Sequence, residues 1–150
     1  MIKRLKIFLL KPYSKNKVNV FISLLIVHQG KLLLLKSNNQ YNMISSKINF
    51  EKKKNIAENV KSILANKVFK DISIIKNIKL LDCCRVVSTC KKCKIIKDDL
   101  FFKIELKDLT DDNLLENLEI LNLESLKLEC FKNKFNIYDY RLFLKAILTN

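Results

Sequence analysis

Apolar and polar positions fall in blocks whose period changes along this chain. Val18–His28 and Lys31–Lys36 are apolar runs rich in β-branched residues and Leu, separated by Gln29-Gly30. A two-residue connection with Gly in second place, between two such runs, predicts a β-hairpin. Upstream, Ile2–Leu10 reads as a first strand closed by the turn Lys11-Pro12-Tyr13-Ser14, since Pro punctuates a strand. Downstream, Ser37–Asn42 reads as a polar loop and Met43–Ile48 as a short extended piece. The period then changes. Ile56, Val60, Ile63, Leu64 and Val68 recur at helical spacing, which predicts a helix over Lys54–Phe69 with Asn55 as its cap. Ile72–Val87 holds one or two strands and Lys94–Leu106 another, with a tight connection around Thr89–Lys92. Asp111–Leu118 reads as a helical turn and Glu119–Leu123 as a last strand. Ile137–Leu148 is a closing amphipathic helix with Leu142, Leu144, Ile147 and Leu148 inward. Strands mixed with two main helices predict a layered α/β (α+β) domain. There is no repeat, linker or low-complexity tract, so residues 1–150 are expected to form one domain.

Composition narrows the chemistry. The 150 residues include one Gly and one Pro, which excludes Gly-rich phosphate loops, because those need backbone without a Cβ against the phosphate. The net charge is +14 and unevenly spread: residues 1–97 hold 22 Lys/Arg against 4 Asp/Glu, and residues 98–150 hold 7 against 11. Such polarity suits a phosphate-bearing partner. Only Arg4, Arg85 and Arg141 are Arg, while Lys, Asn, Ile and Phe abound, the profile that an AT-rich genome encodes. Part of the Lys excess is therefore open to a mutational origin. Val18–Val27 includes Asn19 and Ser23 and is too short to span a bilayer, and Met1–Leu10 lacks a cleavage signal. The expectation is a cytoplasmic protein with no membrane association and reduced cysteines.

The segment Tyr41–Phe69 is the most telling. It reads Tyr-Asn-Met-Ile-Ser-Ser-Lys-Ile-Asn, then Phe-Glu-Lys-Lys-Lys-Asn, then the helical run from Ile56 to Leu64. A strand, tight loop and helix in that order, straight after a hairpin, resemble the central segment of the Nudix hydrolases. The resemblance extends over residues 18–149 through the middle hairpin, the late strand Glu119–Leu126 and the final helix. It leaves residues 1–17 as an extra N-terminal strand and turn. It implies a Nudix-like mixed sheet sandwiched between helices, and hydrolysis of a nucleoside diphosphate linked to another group. The family's box reads Gly-x-x-x-x-x-Glu-x-x-x-x-x-x-x-Arg-Glu-apolar-x-Glu-Glu-x-Gly, and its helix carboxylates hold magnesium.

The box residues themselves are replaced. With Ser46 laid on the first Gly, the Arg-Glu positions carry Val60 and Lys61, and the Glu-Glu positions carry Leu64 and Ala65. Glu58 on the helix and Glu51 in the loop are the candidate catalytic carboxylates, and shifting the register by a residue or two creates no pair. The resemblance therefore implies a divergent member with weak or no pyrophosphohydrolase activity that binds a nucleotide or another phosphate-bearing small molecule. Lys52, Lys53 and Lys54 are candidate phosphate contacts, with Tyr41 and Arg85 beside them. An active enzyme would need magnesium and substitute carboxylates drawn from Asp98, Asp99, Glu105, Asp111 and Asp112. A third reading is a non-enzymatic basic module docking on RNA or a larger assembly. Oligomeric state does not follow from the residues.

Cysteines form a second constellation. Cys83-Cys84 and Cys90-x-x-Cys93 flank the predicted middle hairpin, and a CxxC knuckle is half of a zinc site. All four thiols could bind one zinc only if Cys83 and Cys84 left strand geometry, or if Cys130 or His28 completed the set. Isolated reduced cysteines, and His28 as a plain strand-end residue, are the simpler expectation.

Overall fold

The computed structural model describes residues 16–48, 55–90 and 93–148. Its axis is β1 (Asn16–His28), which pairs antiparallel with β2 (Lys31–Ser37) and β4 (Ile44–Lys47), and parallel with β6 (Cys93–Leu106). β3 (Gln40–Asn42) and β7 (Leu118–Leu121) pair with β2, while β5 (Ile75–Cys90) pairs antiparallel with β6. These seven strands make one mixed sheet. Among the described residues three helices cover it: α1 (Ile56–Lys67), α2 (Leu123–Phe131) and α3 (Ile137–Leu148).

The apolar run in β1 dictates the layering. Leu24, Leu25 and Ile26 are consecutive and each is 0% exposed. Neighbouring side chains on a strand point to opposite faces, so both faces of β1 must be covered. Ile22, Leu24, Ile26 and Leu33 pack with Val60, Ile63 and Leu64 of α1. Leu25, Val27, Leu32 and Leu34 pack on the other face with Leu126 of α2 and with Phe143 and Ala146 of α3.

The hairpin signal at Gln29-Gly30 is met by backbone at φ 50° and 73°, with His28 opposite Lys31. Both central residues are left-handed, as a strand-matching two-residue turn requires. A second such turn lies inside the segment expected to be loop. Asn38 and Asn39 sit at φ 50° and 61° and bring Gln40 opposite Ser37. Asn tolerates this conformation better than other non-Gly residues, a signal that Gly and Pro punctuation does not carry.

Helix α2 was not expected. The late strand stops at Leu121, and Asn122 caps a helix by accepting the Ser125 N–H at 2.8 Å. Leu121, Leu123 and Leu126 fit period 2 in part and helical spacing in part, and Leu126 alone is fully buried. The inward face of α3 also differs from expectation: Phe143 and Ala146 are buried, while Leu148 is 79% exposed. Short 3₁₀ turns span Ile72–Ile74 and Asp111–Asn113. The expected strand Ile2–Leu10 and its turn lie outside the described residues.

Candidate functional site

Helix α1 follows β4 through residues 49–54, which lie outside the described set and include Glu51, Lys52, Lys53 and Lys54. The helix opens on a reciprocal cap. The Glu58 N–H donates to Asn55 Oδ1 at 2.7 Å, and Glu58 Oε2 accepts the Asn55 N–H at 3.4 Å. Two of the donors that a helix start leaves unmet are thereby satisfied. Glu58 is thus occupied in starting the helix. Val60, Ile63 and Leu64 face the core, and Ala57, Lys61 and Ala65 face outward. At the other end, Lys67 Nζ donates to the Ser45 carbonyl at 3.1 Å, tying α1 back to β4.

On the sheet face away from α1 lies a polar group that the sequence reading did not assemble. Ser23 interrupts the apolar run of β1 and is 3% exposed. Its hydroxyl donates to Asp99 Oδ1 at 2.7 Å and shares a 3.2 Å hydrogen bond with Ser45 Oγ. Burial raises the pKa of Asp99, with the Ser23 hydrogen bond and Lys97 opposing. Burial also raises Asp139 in the first turn of α3, and the Asp99 charge adds to that push. Cys130 is raised by burial and by Asp139.

Both carboxyls bind their proton more tightly folded than unfolded, so their own contribution to stability is most favourable below the unfolded aspartate range. It should fall as pH rises through their raised folded pKa values. Asp139→Asn, which removes one charge, is expected to raise the melting temperature at pH 7 by about 2–4 °C, the shift of roughly 1 kcal/mol at this length. The gain should shrink towards pH 4, and thermal unfolding at both pH values checks it.

The remaining sequence candidates disperse. Arg85 on β5 donates to Asp98 on β6 through Nε at 2.6 Å and Nη2 at 2.5 Å, a fork-shaped pair that raises the Arg85 pKa. Tyr41 is 8% exposed; its hydroxyl donates to Glu119 Oε2 at 3.2 Å, and burial raises its pKa. Lys36 lies 3.5 Å from the same carboxylate.

The zinc candidates are spread along the β5–β6 hairpin. Cys83 and Cys84 lie on β5, while Cys90 pairs with Cys93 at the hairpin end. Six residues of strand from Cys84 to Cys90 span about 20 Å. His28 sits at the opposite end of β1 from that hairpin end. No set of three His, Cys, Asp or Glu side chains among the described residues could hold a metal ion.

No protein-family model matches the sequence, nor does any curated protein. Solved structures do match its fold. The MutT mutator protein of Bacillus halodurans is similar at a TM-score of 0.59 and 18% identity, over 88% of this chain and 83% of that one. The ORF135 protein of E. coli aligns at 0.55 and 12% identity, over 92% and 94%. A Nudix hydrolase from Nitrosomonas europaea aligns at 0.53 and 8% identity, over 87% and 88%. The fold is Nudix-like.

In this Nudix-like fold the side chains of α1 do not fit the magnesium that box carboxylates hold in the family. A magnesium ion wants several hard oxygens in near-octahedral array. Glu58 is the one carboxylate of α1, and its cap partner already holds it. Lys61, three positions on, presents an ammonium to the same surface, and Val60 and Leu64 are each 0% exposed in the core.

The substitute carboxylates do not gather around Glu58 either. Asp98 is held by Arg85, and Asp99 points to the opposite face of β6. Glu105 pairs with Lys103 at 3.2 Å. The turn bearing Asp111 and Asp112 is hydrogen-bonded at Lys70 and Val68. Val68 lies ten positions beyond Glu58, about 15 Å along a helix.

Proposed function

We propose that this chain is a Nudix-like domain that binds a phosphate-bearing small molecule of the nucleotide-linked diphosphate class, with weak or no pyrophosphohydrolase activity. The observation that carries the proposal is the state of α1: its one carboxylate closes a capping box, and Val60 and Leu64, which the sequence overlay lays on two of the four key box positions, are core residues. The excess of Lys over acids in residues 1–97 supports an anionic ligand. Within this reading Lys52, Lys53 and Lys54 contact phosphate, and residues 1–17 extend the domain. No helix among the described residues is long and apolar enough to cross a membrane, and cytoplasmic placement belongs to the same proposal.

The test is a thermal-shift screen against nucleotide sugars, dinucleotides and nucleoside di- and triphosphates, with magnesium or with EDTA, followed by a turnover assay. A ligand from this panel is expected to raise the melting temperature equally in both conditions, without turnover. Glu58→Gln should behave alike, because Gln also completes a capping box. Magnesium-dependent turnover that Glu58→Gln abolishes would instead establish an active hydrolase.

A further inference from the structure

We infer that the α2–α3 side of the sheet carries a docking cleft for single-stranded RNA, in which an unpaired base stacks on Tyr138 and meets side-chain amides with its edge. This goes beyond the reading above, because the cleft lies on the sheet face opposite α1. It has a volume of about 390 Å³ between β3 and the α2–α3 connection. Its floor is apolar, from buried Tyr41 and Phe135; its walls carry Gln40, Asn42 and Asn133; Tyr138 stands at its rim.

The frame of the cleft is rigid. The Tyr41 N–H donates to the Lys134 carbonyl at 2.8 Å, and the Lys134 N–H to Glu129 O at 2.8 Å. Asn133 turns the chain after α2 at φ 57°, its N–H donating to Cys130 O at 3.0 Å. The amides are thus presented by fixed backbone.

The chemistry selects a nucleobase. A side-chain amide offers a donor and an acceptor side by side, the complement of a base edge, and unstacked bases are held on aromatic rings. Tyr138 is 73% exposed, so its ring is available to stack. Openness selects a strand over a free small molecule. Six of the nine lining residues are exposed, whereas a small ligand is normally buried over about 70–90% of its surface. Open aromatic platforms with nearby cations are how single strands are bound. Lys132 and Lys134 flank the lining residue Asn133 in the chain and are the cations beside the cleft, with Lys132 3.9 Å from Glu129.

The experiment is fluorescence anisotropy of the full chain with labelled homopolymer RNAs of about ten nucleotides, at about 50 and 200 mM salt. Binding of at least one homopolymer is expected, weakened about tenfold by Tyr138→Ala. Asn42→Ala with Asn133→Gly, where Gly keeps the left-handed turn, should cut the preference among bases by about fivefold or more. Lys70→Ala, off the cleft, should leave affinity within about twofold, and circular dichroism confirms that each variant is folded. The inference is overturned if no homopolymer binds at the lower salt or if Tyr138→Ala binds as well as the parent. It is equally overturned if duplex RNA or a mononucleotide competes as well as the single strand.

Discussion

Leu64→Glu, which puts a carboxylate where the sequence overlay asks for one, is expected to unfold this domain rather than to build a metal site. Leu64 is 0% exposed and packs between α1 and β1. Removing its side chain alone would cost about 2–5 kcal/mol. An unpaired carboxylate there adds a desolvation penalty of roughly several kcal/mol more. A domain of this kind has about 5–15 kcal/mol in total, so the sum reaches or exceeds what is available. Circular dichroism during heating should show no cooperative transition.

Lys61→Glu is the contrasting change. Lys61 is exposed, and a surface substitution is expected to stay within about 0.5 kcal/mol. It would also set a second carboxylate three positions from Glu58, where side chains on a helix surface meet. A Leu64→Glu protein that melts like the parent would show that α1 is rotated relative to the sheet and can present carboxylates to a magnesium ion. Val60 and Leu64 of α1 are core residues, so a carboxylate at either would face the sheet rather than solvent.

Arg85→Ala is expected to lower stability by about 3 kcal/mol, or roughly 10 °C in melting temperature. Asp98 is 6% exposed and accepts both arms of the Arg85 fork, so truncating Arg85 strands a buried charge. The Arg85 side chain is itself 27% exposed, which places the effect at the lower end of the range for buried pairs. Arg85→Ala/Asp98→Ala should recover about half of the loss, because the orphaned carboxylate is removed with its partner. Urea unfolding of the parent, both single variants and the double variant measures the coupling. A coupling near zero would mean that the guanidinium is available for other partners, including the phosphate contact suggested by its residue type. The role of this Arg is decided by the strand opposite.

How much was legible in the sequence differs between fold and site. The hairpin at Gln29-Gly30, the helix capped by Asn55 and the long middle hairpin were readable, because each follows from neighbouring residues: a turn chemistry, a helical period, a run of β-formers. The order of these elements was enough to suggest the fold. Helix α2 was not readable, because Leu121, Leu123 and Leu126 satisfy two periods at once and the cap at Asn122 breaks the tie only through geometry.

The site was least legible. Glu58, Tyr41 and Arg85 are candidates by chemical type, yet each is engaged by a neighbour: Asn55, Glu119 and Asp98. Conversely Ser23, Asp99 and Asp139, which meet on one sheet face, are separated by 76 and 40 positions along the chain, too far for any spacing rule. The sequence by itself determined the two longer helices, the main hairpins and their order, the lack of a carboxylate pair on α1 and the excess of positive charge. Only the tertiary structure decided which side chains face the core, which carboxylates are already paired and which polar groups meet across the sheet. Those outcomes depend on strand register and helix rotation, and both are set by packing between residues far apart in the chain.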